Sequence, residues 1–479
     1  MKVKLRYAPM AFAAMVACMS AHAGYQTPDG NFSLSGFGTV GAVATSTNDV
    51  LFRYPGQAGG ANKNFSLNPD SKAAVQGTYK FSPTVSATTQ VLSKFDPEGQ
   101  FTPNIEWAFA KWQASPSLSI RAGKIGAPFF MISDFRDVGF ANTAVRPNLD
   151  VYGQVPFSAF EGADVSYQAA LGSATVTSTL WAGNLNNKYS SALRGFGEPA
   201  LPVDLDLKRT FGLNLVAEMD NGLTLRAGHT QGKLSSRSPS ALSVVQGATA
   251  VAGFANKNLP PPLSNPLGGL AASLNAGLSD LTQAMTVNNT DASFTGLGLS
   301  YDQDNWVFSG EFTKRKVKNG YIADSKGWYA LAGYRFGSWL PYVSTSRLTT
   351  RSNTSVADST LNGYGGAYAT LNAAASLDPY LPSGTRAQLM RGAAGALYGS
   401  QAVLNTQKQT ENTLSAGVRW DVKSGLALKA QIDHVHIPAN SIGLFLMADP
   451  ALAASQGDTF VKNPNKQINV ISVSLDFVF

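Results

Sequence analysis

Apolar and polar residues alternate along much of this chain. Over the last segment every second residue from Ile471 to Phe479 is apolar, and Ser472, Ser474 and Asp476 lie between them. A period of two is typical of a β-strand with one apolar and one polar face. The same alternation recurs in four further segments, at 72–81, 211–219, 413–422 and 426–433. Each is roughly 9–11 residues long, which is the length of a tilted strand across a membrane.

The alternation predicts about sixteen strands. They are expected at 32–44, 71–81, 85–93, 104–114, 118–125, 160–169, 174–182, 208–219, 223–232, 292–302, 305–316, 326–337, 339–350, 411–422, 425–436 and 466–479. The connections between these strands alternate between short turns and long loops. The long loops fall near 45–70, 94–103, 126–159, 183–207, 233–291, 317–325, 351–410 and 437–465.

This sorting of connections is typical of membrane barrels, in which short turns lie in the periplasm and long loops lie outside the cell. An apolar outward face suits lipid, and a polar inward face suits a wet lumen. We therefore expect an all-β fold, a transmembrane antiparallel up-and-down β-barrel of about sixteen strands. Trp107, Phe312 and Trp328 are expected in the aromatic girdle at the long-loop edge of the membrane.

The N-terminus has the pattern of a secretory signal peptide. Its parts are the basic residues Lys2, Lys4 and Arg6, an apolar stretch at 8–19, and Ala21-His22-Ala23 as a cleavage site. We expect 1–23 to be removed and 24–479 to form a single transmembrane barrel. Cys18, the only cysteine, would leave with the signal peptide, which excludes disulfides and cysteine metal sites.

Composition excludes several other classes of protein. Charged residues make up 14% of the chain, against about 25% in an average soluble domain. No basic run resembles a nucleic-acid surface. The pair His434 and His436 lacks an evident third ligand, and there is no G-x-S-x-G elbow, so neither an enzyme nor a cofactor site is expected.

The loop at 126–159 mixes charges of both signs with aromatic residues. Its candidate functional residues are Asp134, Arg136, Asp137, Arg146, Asp150 and Tyr152. Fixed charges in a narrow wet passage present an electrostatic barrier to ions of one sign. This loop is therefore the first place to look for selectivity.

The chain resembles the Gram-negative porin family over essentially its whole mature length. The resemblance rests on the signal peptide, the strand pattern, Phe479, and the segment Arg121-Ala122-Gly123-Lys124, followed by the loop at 126–159 and Glu161-Gly162-Ala163-Asp164. It implies that this third external loop folds into the barrel and narrows the pore. It also implies a homotrimer in the outer membrane, contact with outer-membrane lipid, and recognition of the strand ending in Phe479 by the assembly machinery. The main departure is the length of the chain.

Strand alternation assigns further charged residues to the inward face. These candidate pore-lining residues are Glu106, Arg121, Arg226, Glu311, Arg335, Arg419 and Lys429. The same alternation places Arg315 and Arg347 there. Basic residues slightly outnumber acidic ones on this face, which favours a weak preference for anions. The alternative is that these charges pair across the wall and serve stability alone.

The resemblance implies passive diffusion of small hydrophilic solutes through a water-filled pore. Two other functions stay open, a substrate-selective channel for small anions and a plugged surface barrel that acts in adhesion or as a receptor. The only support for an adhesion or receptor function is the length of the loops at 233–291 and 351–410. Leucines at helical spacing in the first loop are consistent with short helices on the barrel mouth, and flexible surface decoration is the alternative.

Overall fold

The computed structural model describes residues 24–190, 202–258, 265–373, 381–447 and 466–479. The expected signal peptide, 1–23, lies outside these ranges. Sixteen long antiparallel strands form one closed sheet, and the short strand Tyr25–Gln26 pairs with the first of them.

The barrel strands are numbered β1 to β16 in chain order. They are β1 (Phe32–Thr45), β2 (Lys72–Lys80), β3 (Val85–Phe95), β4 (Phe101–Ser115), β5 (Leu118–Gly126), β6 (Ala159–Leu171), β7 (Ala174–Ser190), β8 (Pro202–Met219), β9 (Leu223–Arg237), β10 (Val287–Gln303), β11 (Trp306–Val317), β12 (Asp324–Tyr334), β13 (Trp339–Arg351), β14 (Glu411–Lys423), β15 (Leu426–Ile437) and β16 (Lys466–Val478).

Consecutive strands pair all the way round, and β16 pairs with β1 to close the sheet. In this closing pair Val470 lies opposite Thr45 and Phe477 lies opposite Gly38. Closure leaves no free edge, which a barrel in lipid requires. The closed antiparallel barrel confirms the predicted fold class and the predicted strand number.

The expected short turns lie at one end of the barrel. At two of them, Gly222 and Gly425 adopt a φ of 76°, a left-handed conformation that glycine takes without the cost a Cβ imposes. Tight turns at Asp220-Asn221-Gly222 and Lys423-Ser424-Gly425 thus connect their strands directly.

The outward face of the barrel is apolar and the inward face is largely polar. On β13, Trp339 and Val343 are exposed on the outside, whereas Ser344 and Ser346 are buried inside. Trp339 stacks on Trp420 of β14 with ring centroids 5.1 Å apart. Along this wall, the apolar face of the sheet therefore points away from the lumen.

Two inward or outward assignments from the sequence are wrong. Arg347 shares the outward face of β13 with Val343 and is exposed, although it was expected in the lumen. Trp107 lies inside, with its indole nitrogen next to Gly126, although it was expected in the outer girdle. The pairing of β3 with β4 shifts register beside Trp107, which displaces the alternation there by one residue. Phe312 and Trp328 are exposed on the outside.

The two longest loops contain helices. They are α2 (Pro239–Ala255) and α3 (Ala271–Met285) in the first loop, and α4 (Asp358–Ala373), α5 (Ser383–Ala394) and α6 (Ser400–Asn405) in the second. A short α1 (Leu149–Tyr152) lies in the loop between β5 and β6. No helix in the described part of the chain is long and apolar enough to cross a membrane.

Helices α2 to α6 pack on one another as a helical cap at the long-loop end. Leu274 and Leu281 of α3 are fully buried, and the hydroxyl of Tyr364 donates to the carbonyl oxygens of Ala248 and Leu274 at 3.3 and 3.1 Å. Of the two alternatives for the loop at 233–291, the structure therefore has packed helices rather than loose decoration.

Candidate functional site

The segment 127–158, between β5 and β6, folds into the barrel and touches opposite walls. Near its start the backbone N–H of Met131 donates to Glu311 of β11 at 2.9 Å, and Arg226 of β9 donates to the carbonyl oxygen of Pro128. At its far end Lys429 of β15 donates to the carbonyl oxygen of Gly139 at 2.7 Å. The segment, called the inner loop below, thus crosses the lumen.

Local chemistry holds the inner loop in shape. Asn148 caps α1 by accepting a hydrogen bond from the backbone N–H of Asp150 at 3.1 Å. Phe130 stacks on Tyr152 with ring centroids 4.4 Å apart, and both rings are buried. At the tip, a Cβ on Gly139 would overlap the side chains of Thr39 and Asp476, so glycine is needed for this close approach to the wall.

Arg146 is the most heavily bonded residue of the inner loop. It forms ion pairs with Asp70 at 2.6 Å and Asp433 at 3.2 Å, and its guanidinium lies 4.8 Å from the ring centroid of Phe52. It also donates to the hydroxyl of Ser472 at 2.5 Å. Burial alone would lower the pKa of Arg146, but the two carboxylates raise it above its usual value.

Asp137 ties the inner loop to β2 and β3. Its carboxylate pairs with Lys72 at 3.3 Å and Lys94 at 3.0 Å, and Arg136 lies 3.8 Å away. Burial alone would raise the pKa of Asp137, but Lys94, Lys72 and Arg136 hold it well below its usual range. This carboxyl is therefore ionised throughout the physiological pH range.

The carboxylate of Glu311, on β11, binds the inner loop through hydrogen bonds. The hydroxyls of Tyr152 and Tyr329 both donate to it, the latter at 3.2 Å, in addition to the N–H of Met131. Arg226 on the neighbouring wall donates to a carbonyl oxygen and forms no ion pair within the described ranges.

The carboxyl group of Asp150 lies next to that of Glu411. It accepts a hydrogen bond from Ser346 at 2.6 Å and is hydrogen-bonded to Glu411, which in turn accepts from the backbone N–H of Leu444 at 2.8 Å. Burial raises the pKa of Asp150, opposed by these hydrogen bonds. Two adjacent buried carboxyls are stable together when they hold a proton between them.

Two more predicted lumen cations hold the tip of the inner loop. Lys429 pairs with Asp476 at 3.1 Å, and Arg419 pairs with Asp421 at 2.7 Å. Arg419 also donates to the carbonyl oxygens of Phe140 and Asn142, the latter at 3.0 Å. These cations therefore serve to anchor the loop backbone.

The remaining predicted site residues are dispersed. Arg121 pairs with Asp164 of β6 at 2.6 Å. Glu106 lines a cavity at the long-loop end, and Asp134 is exposed on the inner loop beside Gly126. Arg335 pairs with Asp302 at 2.5 Å, next to the short turns and away from the inner loop.

Cavities lie on both sides of the inner loop. One of about 410 Å³ is bounded by the inner loop and β8 to β15, and it extends to Glu218 and Asp302 near the short turns. The other, of about 720 Å³, lies toward the long loops and is called the vestibule below. Pro147 and Tyr152 of the inner loop line both cavities, so the loop forms the partition between them.

Sequence reasoning missed several residues that complete this site. Asp70 and Phe52 come from the first long loop, and Leu444 comes from the last one. Glu411, at the start of β14, was not recognised as a partner of Asp150. Their contacts join residues far apart in the chain, and no local pattern in one sequence marks such pairs. The described residues contain no group of three or more histidine, cysteine or acidic side chains suited to a metal ion.

Several solved outer-membrane proteins are similar to this chain in structure. The anion-selective porin from Comamonas acidovorans has 11% identity and a TM-score of 0.46, over 94% of this chain and 99% of that chain. OmpF of Salmonella typhi, solved with daunomycin, has 10% identity and a TM-score of 0.47, over 95% and 100%. The channel DcaP of Acinetobacter baumannii has 8% identity and a TM-score of 0.45, over 96% and 100%. No family model and no curated protein matches the sequence. These similarities do not bear on what passes through this barrel.

Proposed function

We propose that the mature chain, 24–479, is an outer-membrane channel for the passive diffusion of small hydrophilic solutes, with the inner loop as its constriction. The observation that carries this proposal is a closed barrel, greasy outside, whose lumen is divided by one charged loop with open space on each side. A soluble protein would have little use for the exposed band of large apolar side chains.

In this proposal the short turns face the periplasm and the helical cap faces the outside. Export through the predicted signal peptide, insertion by the assembly machinery through the strand ending in Phe479, and assembly as a homotrimer belong to the same hypothesis. The N-terminal residue of the protein extracted from outer membranes tests the first, with Gly24 expected. Cross-linking in mild detergent tests the last.

We further propose a weak preference for anions. Arg121, Arg335, Arg419 and Lys429 are neutralised in ion pairs, so the selectivity rests on the remaining lumen charges. Arg226 and Arg315 have carbonyl oxygens as acceptors and form no ion pair among the residues described, which supports the preference. Glu106, Glu218 and exposed Asp134 act against it, so the effect is expected to be small.

Conductance in a planar bilayer tests the channel directly. Folded protein should give discrete ohmic current steps, and a salt gradient should give a reversal potential slightly toward that of chloride. A variant in which residues 133–144 are replaced by a short Gly-Ser linker should give larger steps, because the tip of the partition is gone. A variant with α3 shortened is the control and should keep the original steps. Absence of steps from folded protein would reject the channel and favour a plugged barrel.

A further inference from the structure

A small cavity lies on the lumen wall above the inner loop, toward the long-loop end. Its volume is about 130 Å³, and its lining comes mainly from β7 to β11, both ends of the inner loop, α6 and the chain after α6. Its walls are mainly apolar, with Val155, Leu205, Leu234, Phe294 and Val317 among the lining residues. Polar side chains, among them Thr230 and Gln409, line the remainder.

Arg315 of β11 also lines this cavity. Its guanidinium donates to the carbonyl oxygens of Gln154 at 2.5 Å and Ala323 at 2.9 Å. Its Nε atom is buried and has no hydrogen-bond partner, and the part of the chain that is described offers it no ion pair. Carbonyl oxygens satisfy N–H groups but supply no full negative charge, and Asp324 acts on the guanidinium only from beyond ion-pair distance. A charge compensated this weakly is costly in largely apolar surroundings. An anion at this place would supply the missing compensation.

The cavity is accessible from the vestibule. Val155, Tyr189 and Leu205 line both spaces, so the apolar cavity is a side pocket of the larger one. The vestibule walls carry six basic and six acidic residues, so they do not repel an anion on its way to Arg315. A solute that suits both environments has an anionic head and a compact apolar body.

We propose that this side pocket binds small monocarboxylates with an apolar body, the carboxylate on Arg315 and the body among the apolar walls. The inference rests on the proposed channel for its consequence, since the pocket would then concentrate this class of solute above the constriction. The binding itself does not depend on conduction.

Benzoate is the probe, with benzamide as its uncharged counterpart and acetate as the carboxylate without an apolar body. Titration calorimetry on the full barrel in detergent should give saturable benzoate binding, with benzamide and acetate at least about tenfold weaker. Arg315→Met should weaken benzoate binding about tenfold or more. Arg347→Met is the matched control, because this arginine is exposed on the outside, and it should bind benzoate as the native protein does.

A second variant protects the test against misfolding of the first. Ala292 lines the pocket, so Ala292→Trp should fill the space and abolish benzoate binding while Arg315 stays in place. In bilayers, benzoate should cause brief current interruptions in the native channel and none in Ala292→Trp. Equal binding of benzoate and acetate, or unchanged binding in both variants, would overturn the inference. Benzoate binding without any conductance would instead reject the proposed channel and leave the pocket standing.

Discussion

Arg146 is the residue that most firmly attaches the inner loop to the wall. Replacement by methionine keeps the aliphatic stem and removes the charge, which leaves Asp70 and Asp433 buried without a cation. Breaking a buried ion pair in this way costs about 3–5 kcal/mol. We therefore expect Arg146→Met to loosen the inner loop, which should raise the mean conductance and the current noise and lower the melting temperature in detergent.

Arg351→Met is the control for this change. Arg351 is exposed at the end of β13, so its replacement removes the same charge without disturbing a buried pair. Its conductance and melting temperature should match those of the native protein. If Arg146→Met behaves in the same way, the ion pairs do not hold the inner loop.

Asp150 makes the attachment of the inner loop depend on pH. Burial raises its pKa in the folded state, so the folded loop binds this proton more tightly than the detached loop does. The stabilisation is complete below the ordinary pKa of an aspartate and is lost as the pH rises through the raised value. Above it, Asp150 and Glu411 are both ionised and repel each other.

Current noise should therefore increase as the pH is raised from about 4 to 9. In Asp150→Asn the two side chains can no longer both carry a negative charge, so this increase should disappear. The Asp137→Asn variant serves as a comparison, because that carboxyl is already ionised over the whole range and its replacement should leave the pH profile in place. A pH profile unchanged in Asp150→Asn would contradict this role.

At the scale of strands and helices, alternation in the sequence predicted every barrel strand because lipid outside and water inside impose opposite demands on neighbouring residues. The alternation was a poor guide at the strand ends that lie beyond the membrane, where these opposite demands no longer apply. In β8, Phe211 and Leu213 point outward, but beyond a register shift between Leu207 and Thr210 the apolar residues Leu205 and Leu207 are buried inside. The strand ends above the membrane band pack inward against the inner loop and the cap, as in a soluble sheet. The predicted start at 208 therefore falls where the pattern inverts.

The site was predictable to a similar degree. The inner loop could be recognised as the candidate site because it contains charged residues of both signs. In a membrane barrel, such residues are expected to face the wet lumen. Their partners were not predictable, since Arg146 meets Asp70 and Asp433 only after the barrel has closed. Faces were also misjudged where a register shift displaced the alternation, as at Trp107.

The helical cap depends on a close helix crossing. A Cβ on Gly247 of α2 would lie 2.8 Å from the Cα of Gly392 in α5, closer than packed atoms approach. We expect Gly247→Ala to force the helices apart at a cost of about 1–3 kcal/mol, partly offset by about 1 kcal/mol of helix propensity. Faster amide hydrogen exchange in α2 and α5 is the expected result.

Gly253 offers a matched control on the same helix. A Cβ there would meet nothing within 4 Å, so Gly253→Ala gains helix propensity without a clash. Exchange in α2 should slow or stay the same. Faster exchange in both variants would mean that the cap is sensitive to any change in α2, and the close crossing would not be the cause.

For the molecule as a whole, the arrangement of polarity decides the environment. Val343 is 56% exposed on the outward face of β13, midway between Trp339 at the short-turn end and the basic residues at the other end. If the barrel spans a bilayer, this position lies in hydrocarbon. An arginine near the middle of a bilayer costs a barrel about 2–4 kcal/mol, whereas near the interface the cost is about 0–1 kcal/mol.

Val343→Arg should therefore lower the free energy of unfolding from lipid vesicles by about 2–4 kcal/mol, and Thr349→Arg, further along the same face, by about 1 kcal/mol or less. Using two positions on one strand cancels the effects of strand propensity and local packing, so the difference reports depth in the membrane. Chemical denaturation followed by tryptophan fluorescence measures both. Equal losses in the free energy of unfolding at the two positions would mean that this face does not lie in a bilayer. A scan of arginine across the outward positions of all sixteen strands would then separate walls that meet lipid from walls that meet another copy of the chain.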